Sequence, residues 1–362
     1  METHVSMRKY YICRDFSEAC GISKYGYVFF STILKEYGFE KIHLKDVNDV
    51  SQVLSKINCD DKVWIEIGLG TYLETLLYKK LIRKNNQNVI ITLHDAPFIE
   101  YPILKFKNQP FNLLSKINQY VFLRWPFTSF FYSYLHKTKR IYTLNPKGTE
   151  SLLNRYRLHN VVTIPHVLHN IEEVDNKKSG ILQFLYFGFI GKNKGLEYAL
   201  SLHEKINTLV KTPITMKIIG KTLDEKSEKY FQKIKRRYNE NVEYLGYVED
   251  KELDILMQQD NIILLPTKNY KVIKPTSGSV LNSLKYLNIV FTTKVNANEC
   301  LISDKENGFF LQGDINSDTF NILSIINNSD LRNKIRLNIY NDLMMKYIPI
   351  KVINEIKVDD YR

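Results

Sequence analysis

Cysteine is scarce in this chain of 362 residues. The four cysteines are scattered, form no Cys-x-x-Cys pair and have no histidines at the spacing of metal ligands: Cys13, Cys20, Cys59 and Cys300. This pattern argues against a zinc site and a disulfide framework, and it predicts a reducing compartment. Two carboxylate pairs, Asp60–Asp61 and Asp359–Asp360, lie in polar segments that we predict to be solvated. We therefore expect no bound metal ion and no other cofactor.

Long apolar runs are absent as well. No run approaches the roughly 18 apolar residues of a membrane-spanning helix. The first residues, Met1–Met7, lack the basic-then-apolar pattern of a secretory leader. With 44% hydrophobic and 25% charged residues, the composition is that of a folded globular protein. These observations predict a cytoplasmic protein, and the length predicts two domains.

Acidic residues are fewer than basic ones. The chain has 39 acidic and 51 basic residues, which gives a net charge of +12. A basic balance favours an anionic partner, which could be nucleic acid, acidic lipid head groups or a phosphorylated substrate. A generally lysine-rich composition is the alternative explanation. Only local clustering of the charges can separate these interpretations.

One such cluster covers residues 101–140, where eleven aromatic and seven basic residues occur without a single acidic residue. Aromatic rings interleaved with cations are typical of an interfacial membrane surface. The rings could also stack on single-stranded nucleic acid, or could belong to core helices with basic outer faces. The complete absence of carboxylates favours an anionic membrane surface as the partner of this stretch.

The first half of the chain repeats a strand, a glycine-containing loop and a helix. Lys9–Cys13 predicts the first strand, and Gly21 and Gly26 stand in the loop that follows it. These glycines either shape an ordinary turn or let a ligand approach the backbone. Val63–Gly68, which contains Glu66, predicts a second buried strand before another glycine-containing turn.

The strand Val89–Asp95 delivers His94 and Asp95 at its carboxyl end. Ligands of open α/β sheets bind outside the carboxyl ends of the strands. Because histidine serves readily in binding and in acid–base chemistry, we favour a functional role for His94 over a place in the core.

The second half opens with Leu185–Gly195, which predicts a buried strand, a glycine-broken turn with two lysines, and the start of a helix. Free amides and the positive end of a helix hold phosphate well, and Lys192 and Lys194 add charge. Further strands alternate with helices up to residue 335, which predicts a parallel sheet covered on both faces. The polar segment 168–180 is the linker, and the boundary is expected near residue 170.

In their order and spacing these segments resemble the GT-B glycosyltransferases, specifically the retaining enzymes of glycosyltransferase family 4. The resemblance covers most of the chain. It rests on Gly21–Tyr25, Thr92–Asp95, Ile164–His166, Phe187–Gly195, Val242–Val248, Asn261–Pro266 and Gly308–Asp314. It implies an α/β fold with two Rossmann-like, doubly wound domains facing a central cleft. The expected divisions are 1–170 for the acceptor, 171–335 for the donor, and a helical segment 336–362 that packs on the first domain.

The resemblance also implies roles for individual residues. Lys194 and Lys192, with Gly188, would hold the diphosphate of a nucleotide sugar, and no divalent metal would be needed. His94 and Lys194 would be the catalytic residues. Gly21, Glu66 and Asp95 would line the acceptor side with His94.

The donor loop departs from the family. Its two usual glutamates are replaced by Lys274 and Asn282. Asn282 could still bind a ribose hydroxyl, and Lys274 could contact a phosphate or a carboxylated sugar. Between them, Thr276, Ser277, Gly278 and Ser279 form a turn at a helix N-terminus whose hydroxyls and amides suit a diphosphate or serve only as caps.

The function so predicted is transfer of a hexose from a nucleotide diphosphate sugar to a lipid-linked or other glycan acceptor. This places the protein in capsule, lipopolysaccharide or similar polysaccharide biosynthesis, as a peripheral protein at the inner face of the membrane. The alternatives are an inactive glycosyltransferase-like partner subunit, which the missing glutamates favour, and a sugar-nucleotide epimerase of the same architecture. Nucleic acid is not an expected partner, because no known binding module is present.

Overall fold

A computed structural model describes residues 7–17, 20–97, 129–174, 182–222, 224–269 and 273–362. The chain divides into two compact units. Unit 1 comprises Met1–His169, Lys271–Thr276 and Tyr347–Arg362, and unit 2 comprises Asn170–Tyr270 and Ser277–Lys346. The domain boundaries at residues 170 and 335 stay predictions from the sequence.

Unit 1 is built on a parallel sheet of six strands in the order β2-β1-β3-β4-β5-β6. The strands are β1 Lys9–Ile12, β2 Glu40–Ile42, β3 Lys62–Ile67, β4 Val89–Leu93, β5 Arg140–Thr143 and β6 Val161–Thr163. β3 and β4 are buried along their whole length. They are nearly continuous apolar runs because helices cover both faces of the sheet.

The helices of unit 1 are α1 Gly21–Thr32, α2 Val47–Lys56, α3 Tyr72–Arg83, α4 Ser129–Lys137, α5 Pro146–Tyr156, α12 Pro349–Glu355 and α13 Val358–Tyr361. Consecutive strand residues point to opposite faces, so two cores form. Tyr10 and Ile65 belong to one core, together with residues of α2 and α3. Tyr11 and Trp64 belong to the other, together with residues of α1 and α12.

Unit 2 carries a second parallel sheet of six strands, in the order β12-β11-β10-β7-β8-β9. The strands are β7 Gln183–Phe187, β8 Met216–Ile219, β9 Val242–Gly246, β10 Asn261–Leu265, β11 Ile289–Thr293 and β12 Phe309–Leu311. The helices are α6 Leu196–Asn207, α7 Glu225–Arg237, α8 Asp250–Met257, α9 Gly278–Lys285, α10 Ile315–Ile326 and α11 Ser329–Lys346. The prediction of an α/β fold with two doubly wound domains is confirmed.

Each sheet has a point at which the strand order reverses. In unit 1 this point lies between β1 and β3, and in unit 2 it lies between β7 and β10. Loops leaving two such strands go to opposite faces of the sheet and leave a crevice at the carboxyl ends, where ligands of this class of fold bind. Glu66 and the start of α1 at Gly21 therefore flank the crevice of unit 1, and Gly188–Gly195 flanks the crevice of unit 2.

The C-terminal helix α13 lies against the amino ends of the strands of unit 1. Asp360 accepts hydrogen bonds from Tyr142 Oη at 2.6 Å and from Arg140 Nε at 3.2 Å, and Lys139 Nζ lies 3.3 Å from its other oxygen. The prediction that both aspartate pairs are solvated is wrong for Asp61 and Asp360, which are buried. Asp61 accepts from the backbone amides of neighbouring segments, and cations pair with Asp360.

Within the described ranges, no helix combines the length and the apolar character needed to cross a bilayer. Most of the aromatic and basic stretch 101–140 lies outside the described residues, so its predicted membrane contact stays a prediction. The described end of this stretch contains α4 and the first residue of β5.

Candidate functional site

The carboxyl edge of the sheet in unit 1 carries a histidine–carboxylate pair. Glu66 is the penultimate residue of β3, and His94 directly follows β4. The His94 Nε2 atom lies 2.7 Å from Glu66 Oε2, and the Glu66 side chain is completely buried. The backbone amide of His94 donates to Ile67 O at 2.8 Å, which extends the strand pairing by one residue and fixes the position of the histidine.

Two further side chains bond the Glu66 carboxylate. Its Oε1 atom accepts hydrogen bonds from Tyr11 Oη and from Thr92 Oγ1, each at 3.0 Å. Thr92 in turn accepts from Trp64 Nε1 at 2.8 Å. A carboxylate buried in an apolar core is tolerated only when its lone pairs are satisfied, as they are here.

Asp95 and Gly21 occupy the same edge. Asp95 Oδ2 accepts from the Leu69 amide at 2.7 Å and so closes the turn after β3. Gly21 opens α1, and a side chain placed there would meet open space. Two buried hydroxyls in the first turns of α1, Ser23 Oγ and Tyr25 Oη, have no hydrogen-bond partner among the described residues. Both hydroxyls are therefore unsatisfied polar groups inside the fold.

Two histidines meet on the ring of Tyr25. It contacts His94 edge-on, with ring centres 5.0 Å apart, and His166 edge-on at 5.4 Å. Burial, with a smaller contribution from His94, lowers the pKa of His166 from 6.5 to about 3, so this imidazole is neutral at physiological pH. The sequence places Tyr25 in the segment Gly21–Tyr25 that resembles the family. Its contact with the two histidines is visible only in the tertiary structure.

In unit 2, the loop after β7 brings backbone close to backbone. Gly188 has φ +134° and Gly195 has φ +73°, both in the region that favours glycine. A Cβ atom at Gly195 would lie 1.9 Å from the carbonyl oxygen of Pro266, which directly follows β10. Between these glycines Lys192–Lys194 form one 3₁₀ turn, after which α6 begins at Leu196. The predicted strand, glycine turn and helix start are thus present at the crevice of unit 2.

The start of α9 lies beside this loop. A Cβ atom at Gly188 would lie 2.7 Å from Ser279 Oγ, so the two segments touch. Ser277 is the N-cap, and its hydroxyl accepts from the Val280 amide at 3.3 Å. Gly278 is exposed at the first position of the helix, and Asn282, one turn later, is partly exposed. The predicted donor-binding residues of unit 2 thus fall on two segments that meet at Gly188 and Ser279: Gly188, Lys192 and Lys194 on the loop after β7, and Ser277, Gly278, Ser279 and Asn282 on the start of α9.

Lys274 and Thr276 belong instead to unit 1. The Lys274 amide donates to Ala96 O at 3.0 Å. The buried Asn145 side chain donates to Lys274 O at 2.9 Å and to Thr276 Oγ1 at 3.0 Å. The Thr276 hydroxyl also donates to Leu144 O at 3.3 Å. This hydroxyl therefore anchors the segment to unit 1, where the Lys274 residue is partly buried.

The sequence did not predict a role for Asn145 in holding the donor-loop segment 274–276. It caps α5 through its Oδ1 atom, which accepts from the Gly148 amide at 2.8 Å. An asparagine between a strand and a proline is a recognisable capping signal. Its amide nitrogen, however, bonds Lys274 and Thr276, which lie 129 and 131 residues further along the chain. No local sequence pattern predicts a contact over that separation.

In the part of the chain that the structure describes, no three His, Cys, Asp or Glu side chains lie close enough together to hold a metal ion. The expectation that no metal or cofactor takes part in the reaction stays a prediction.

Comparison with known families finds one match, which lies mainly in unit 2. Residues 169–342 match the family described as glycosyl transferases group 1. No curated protein sequence matches the chain.

Solved structures share the fold at low sequence identity. Sucrose-phosphate synthase from Thermosynechococcus elongatus superimposes with a TM-score of 0.70 at 12% identity, over 97% of each chain. HepE from Anabaena, solved with UDP-glucose, has a TM-score of 0.64 at 12% identity over 97% of this chain and 98% of its own. TarM from S. aureus, solved with UDP, fondaparinux and α-GlcNAc-glycerol, has a TM-score of 0.59 at 14% identity. This chain spans 57% of TarM, which covers 84% of this chain.

Proposed function

We propose that this chain, which carries a glycosyltransferase group 1 domain within a GT-B fold, transfers a sugar from a nucleotide diphosphate sugar to a glycan acceptor. Unit 2 binds the donor in this proposal, and unit 1 binds the acceptor near His94. The reaction needs no divalent metal, because lysines and backbone amides stabilise the departing diphosphate.

The observation that carries the proposal is the crevice of unit 2. Glycines at residues 188 and 195 let the backbone pass close to its neighbours, and the start of α6 follows directly. Free amides at a helix start and two lysines in one turn suit the negative charge that develops on a departing diphosphate. The adjacent start of α9 adds a second set of amides and the Ser279 hydroxyl.

The acceptor in this proposal is a lipid-linked precursor of a cell-surface polysaccharide, met at the inner face of the membrane. The support is the sequence of residues 101–140, with its eleven aromatic and seven basic residues and no carboxylate. Replacing Trp125, Phe130 and Phe131 by serine is expected to release the protein from vesicles that contain anionic lipid. Unchanged vesicle binding would remove this stretch from the proposal.

The donor is tested by thermal unfolding against a panel of nucleotide sugars, with UDP and UDP-glucose as its first members. A ligand bound only by the folded state raises the melting temperature, and at 100 times its dissociation constant it adds about 2.7 kcal/mol of stability. We expect one nucleotide class to stabilise the chain. A folded chain that no member stabilises would contradict the enzyme and favour the inactive partner subunit, which the replacement of two glutamates by Lys274 and Asn282 also favours.

Product analysis with the selected donor separates the remaining alternatives. A transferase consumes the donor only when an acceptor is present, whereas an epimerase alters the donor alone. The anomeric configuration of the product tests whether transfer proceeds with retention, as the family resemblance implies.

A further inference from the structure

We propose that the solvent-facing side of α7 in unit 2 is a contact surface for an anionic lipid bilayer. We call this surface the α7 basic face, and it consists of five exposed cations: Lys226, Lys229, Lys233, Arg236 and Arg237. It belongs to a different part of the chain from residues 101–140. The inference rests on the proposed function, because a lipid-linked acceptor brings the reaction to a membrane, and it adds a contact that acts through charge alone.

Helical spacing gathers these cations on one side of α7. The other four follow Lys226 at intervals of 3, 7, 10 and 11 residues, and residues so spaced lie on one face of an α-helix. The opposite side is fixed by packing. Phe231 and Ile234 are buried, and the ring centre of Phe231 lies 5.7 Å from that of Tyr244 in β9. Burial of the apolar side therefore determines that the cations face solvent.

Few carboxylates oppose the α7 basic face. Of the seven exposed positions of α7, five are cations and one is a carboxylate, Glu225. Lys229 Nζ lies 2.7 Å from Glu225, and Arg237 Nη1 lies 3.5 Å from a carboxylate of α6. Because both pairs are exposed to water, they hold their cations weakly. Lys233 and Arg236 form no ion pair with a carboxylate of the described residues. The face therefore keeps a positive charge that an anionic partner can use.

The charge of α7 is a local feature and does not follow from a lysine-rich composition. This helix has six basic and two acidic residues among its thirteen. Its neighbour in the chain, α8, has one basic and three acidic residues, and α10 has one acidic residue and no basic one. A composition effect would have spread the basic residues over all these helices. Their concentration on one exposed face indicates a partner.

A bilayer surface matches the chemistry of this face better than nucleic acid does. Lysines and arginines near an anionic leaflet gain free energy without a shaped pocket. Stacking on single-stranded nucleic acid requires exposed rings, whereas the exposed positions of α7 that are not cations are Glu225 and Gln232. A face without apolar residues lies on the head groups and does not insert between the lipids.

The position of α7 in unit 2 fits a lipid-linked acceptor. A Cβ atom at Gly191, in the loop proposed to hold the diphosphate, would lie 3.5 Å from Ser227 Oγ in the first turn of α7. Lys226 and Lys229 lie within one helical turn of Ser227. A bilayer held by α7 is therefore close to the edge of unit 2 at which the donor is proposed to bind.

Sedimentation of the full chain with vesicles of phosphatidylcholine and phosphatidylglycerol tests the surface. In the test variant, Lys226→Gln, Lys233→Gln and Arg236→Gln are combined, and glutamine preserves the helix. Each cation near an anionic leaflet contributes about fivefold to binding, so we expect the combined variant to bind about 10²-fold more weakly. Vesicle binding at the wild-type level would overturn the inference. The charge-preserving variant Lys226→Arg, Lys233→Arg, Arg236→Lys should bind like the wild type, and a loss there would overturn the role of charge.

The matched control combines Lys205→Gln, Lys251→Gln and Lys334→Gln. These lysines are exposed on α6, α8 and α11, and their replacement removes the same charge from scattered places. We expect the control to bind vesicles at least 10 times more tightly than the α7 variant, since the charges it lacks are not gathered on one face. An equal loss of binding in both variants would attribute the binding to total charge and overturn the α7 basic face.

Two further measurements separate this surface from its alternatives. Tighter binding of the wild-type chain to oligonucleotides than to the vesicles, lost in the α7 variant, would overturn the bilayer as the partner. Thermal stabilisation by the selected nucleotide sugar should be the same in the α7 variant and the wild type, because the substitutions leave the donor loop intact. A chain that binds vesicles through α7 but is stabilised by no nucleotide sugar would contradict the proposed function, while the membrane surface stands.

Discussion

The two sheets of this protein have the same number of strands, yet their carboxyl edges are built differently. In unit 1 the strand order reverses between β1 and β3, and the edge is made of side chains: Glu66, His94 and Tyr25. In unit 2 the order reverses between β7 and β10, and the edge is made of glycine backbone, a helix start and two lysines. The first edge thus presents titratable side chains, and the second presents backbone amides and cations, the groups that suit an anion.

The same difference determines which substitutions each edge tolerates. An edge of side chains is sensitive to a change in charge or tautomer and tolerates small changes in volume. An edge of closely approaching backbone is sensitive to any added atom. The predictions below test this contrast.

The largest effect is expected for Lys194→Ala. Losing a group that stabilises charge on the leaving diphosphate should lower kcat by about 10²- to 10³-fold. Lys205→Ala is the matched control, because Lys205 is exposed in the last turn of α6, far along the helix from its start. Steady-state kinetics give kcat for both variants. Wild-type activity of Lys194→Ala would contradict the assignment of the diphosphate site.

Gly195→Ala should cost about 3 kcal/mol of unfolding free energy, from overpacking and from the left-handed backbone. Its Cβ would lie 1.9 Å from a carbonyl oxygen of the adjacent strand end. In unit 1, a Cβ at Gly68 would meet first the flexible Ile22 side chain, at 2.6 Å, so Gly68→Ala should cost about 1 kcal/mol. Gly278→Ala meets open space and serves as the control. Urea unfolding measures both losses. An equal loss of unfolding free energy in Gly195→Ala and Gly68→Ala would contradict the difference proposed between the two edges.

Asp360→Asn is expected to destabilise the chain by about 2 kcal/mol, because hydrogen bonds to a charged group are lost. The affected partners are Arg140, Lys139 and Tyr142. Asp359→Asn is the control, since Asp359 is exposed and contributes its backbone carbonyl to Lys62 and Lys139. A similar unfolding free energy for the two variants would show that the charge of Asp360 does not stabilise the packing of α13 on the amino ends of the strands.

The smallest effect concerns His166 and pH. Its pKa is about 3 in the folded chain and 6.5 ordinarily, so below pH 6.5 the unfolded chain binds a proton that the folded chain does not. Stability is therefore lost as the pH falls from 6.5 towards 3. His166→Gln should reduce this loss by about 1.6 kcal/mol between pH 6.5 and 5, whereas a variant of the exposed His159 should not. Urea unfolding at the two pH values tests this, and an equal loss in all three proteins would contradict it.

Much of the fold follows from local patterns. The strand and the helix start predicted within Leu185–Gly195 and directly after it are present as β7 and α6, because a short apolar run before a glycine turn is read directly from the sequence. Proline fits the first turn of a helix, and α12 begins at Pro349. The solvated position predicted for Asp360 was wrong, since only α13 packing on three strand starts buries it.

By itself, the sequence determined the succession of strands and helices, the glycine turn with Lys192 and Lys194, and the place of His94 at a strand end. Each depends on neighbours in the chain. The tertiary structure decided which strands are adjacent, and hence that Glu66 lies behind His94 and that Asn145 holds Thr276. Strand order depends on the packing of segments far apart in the chain, which no local pattern contains.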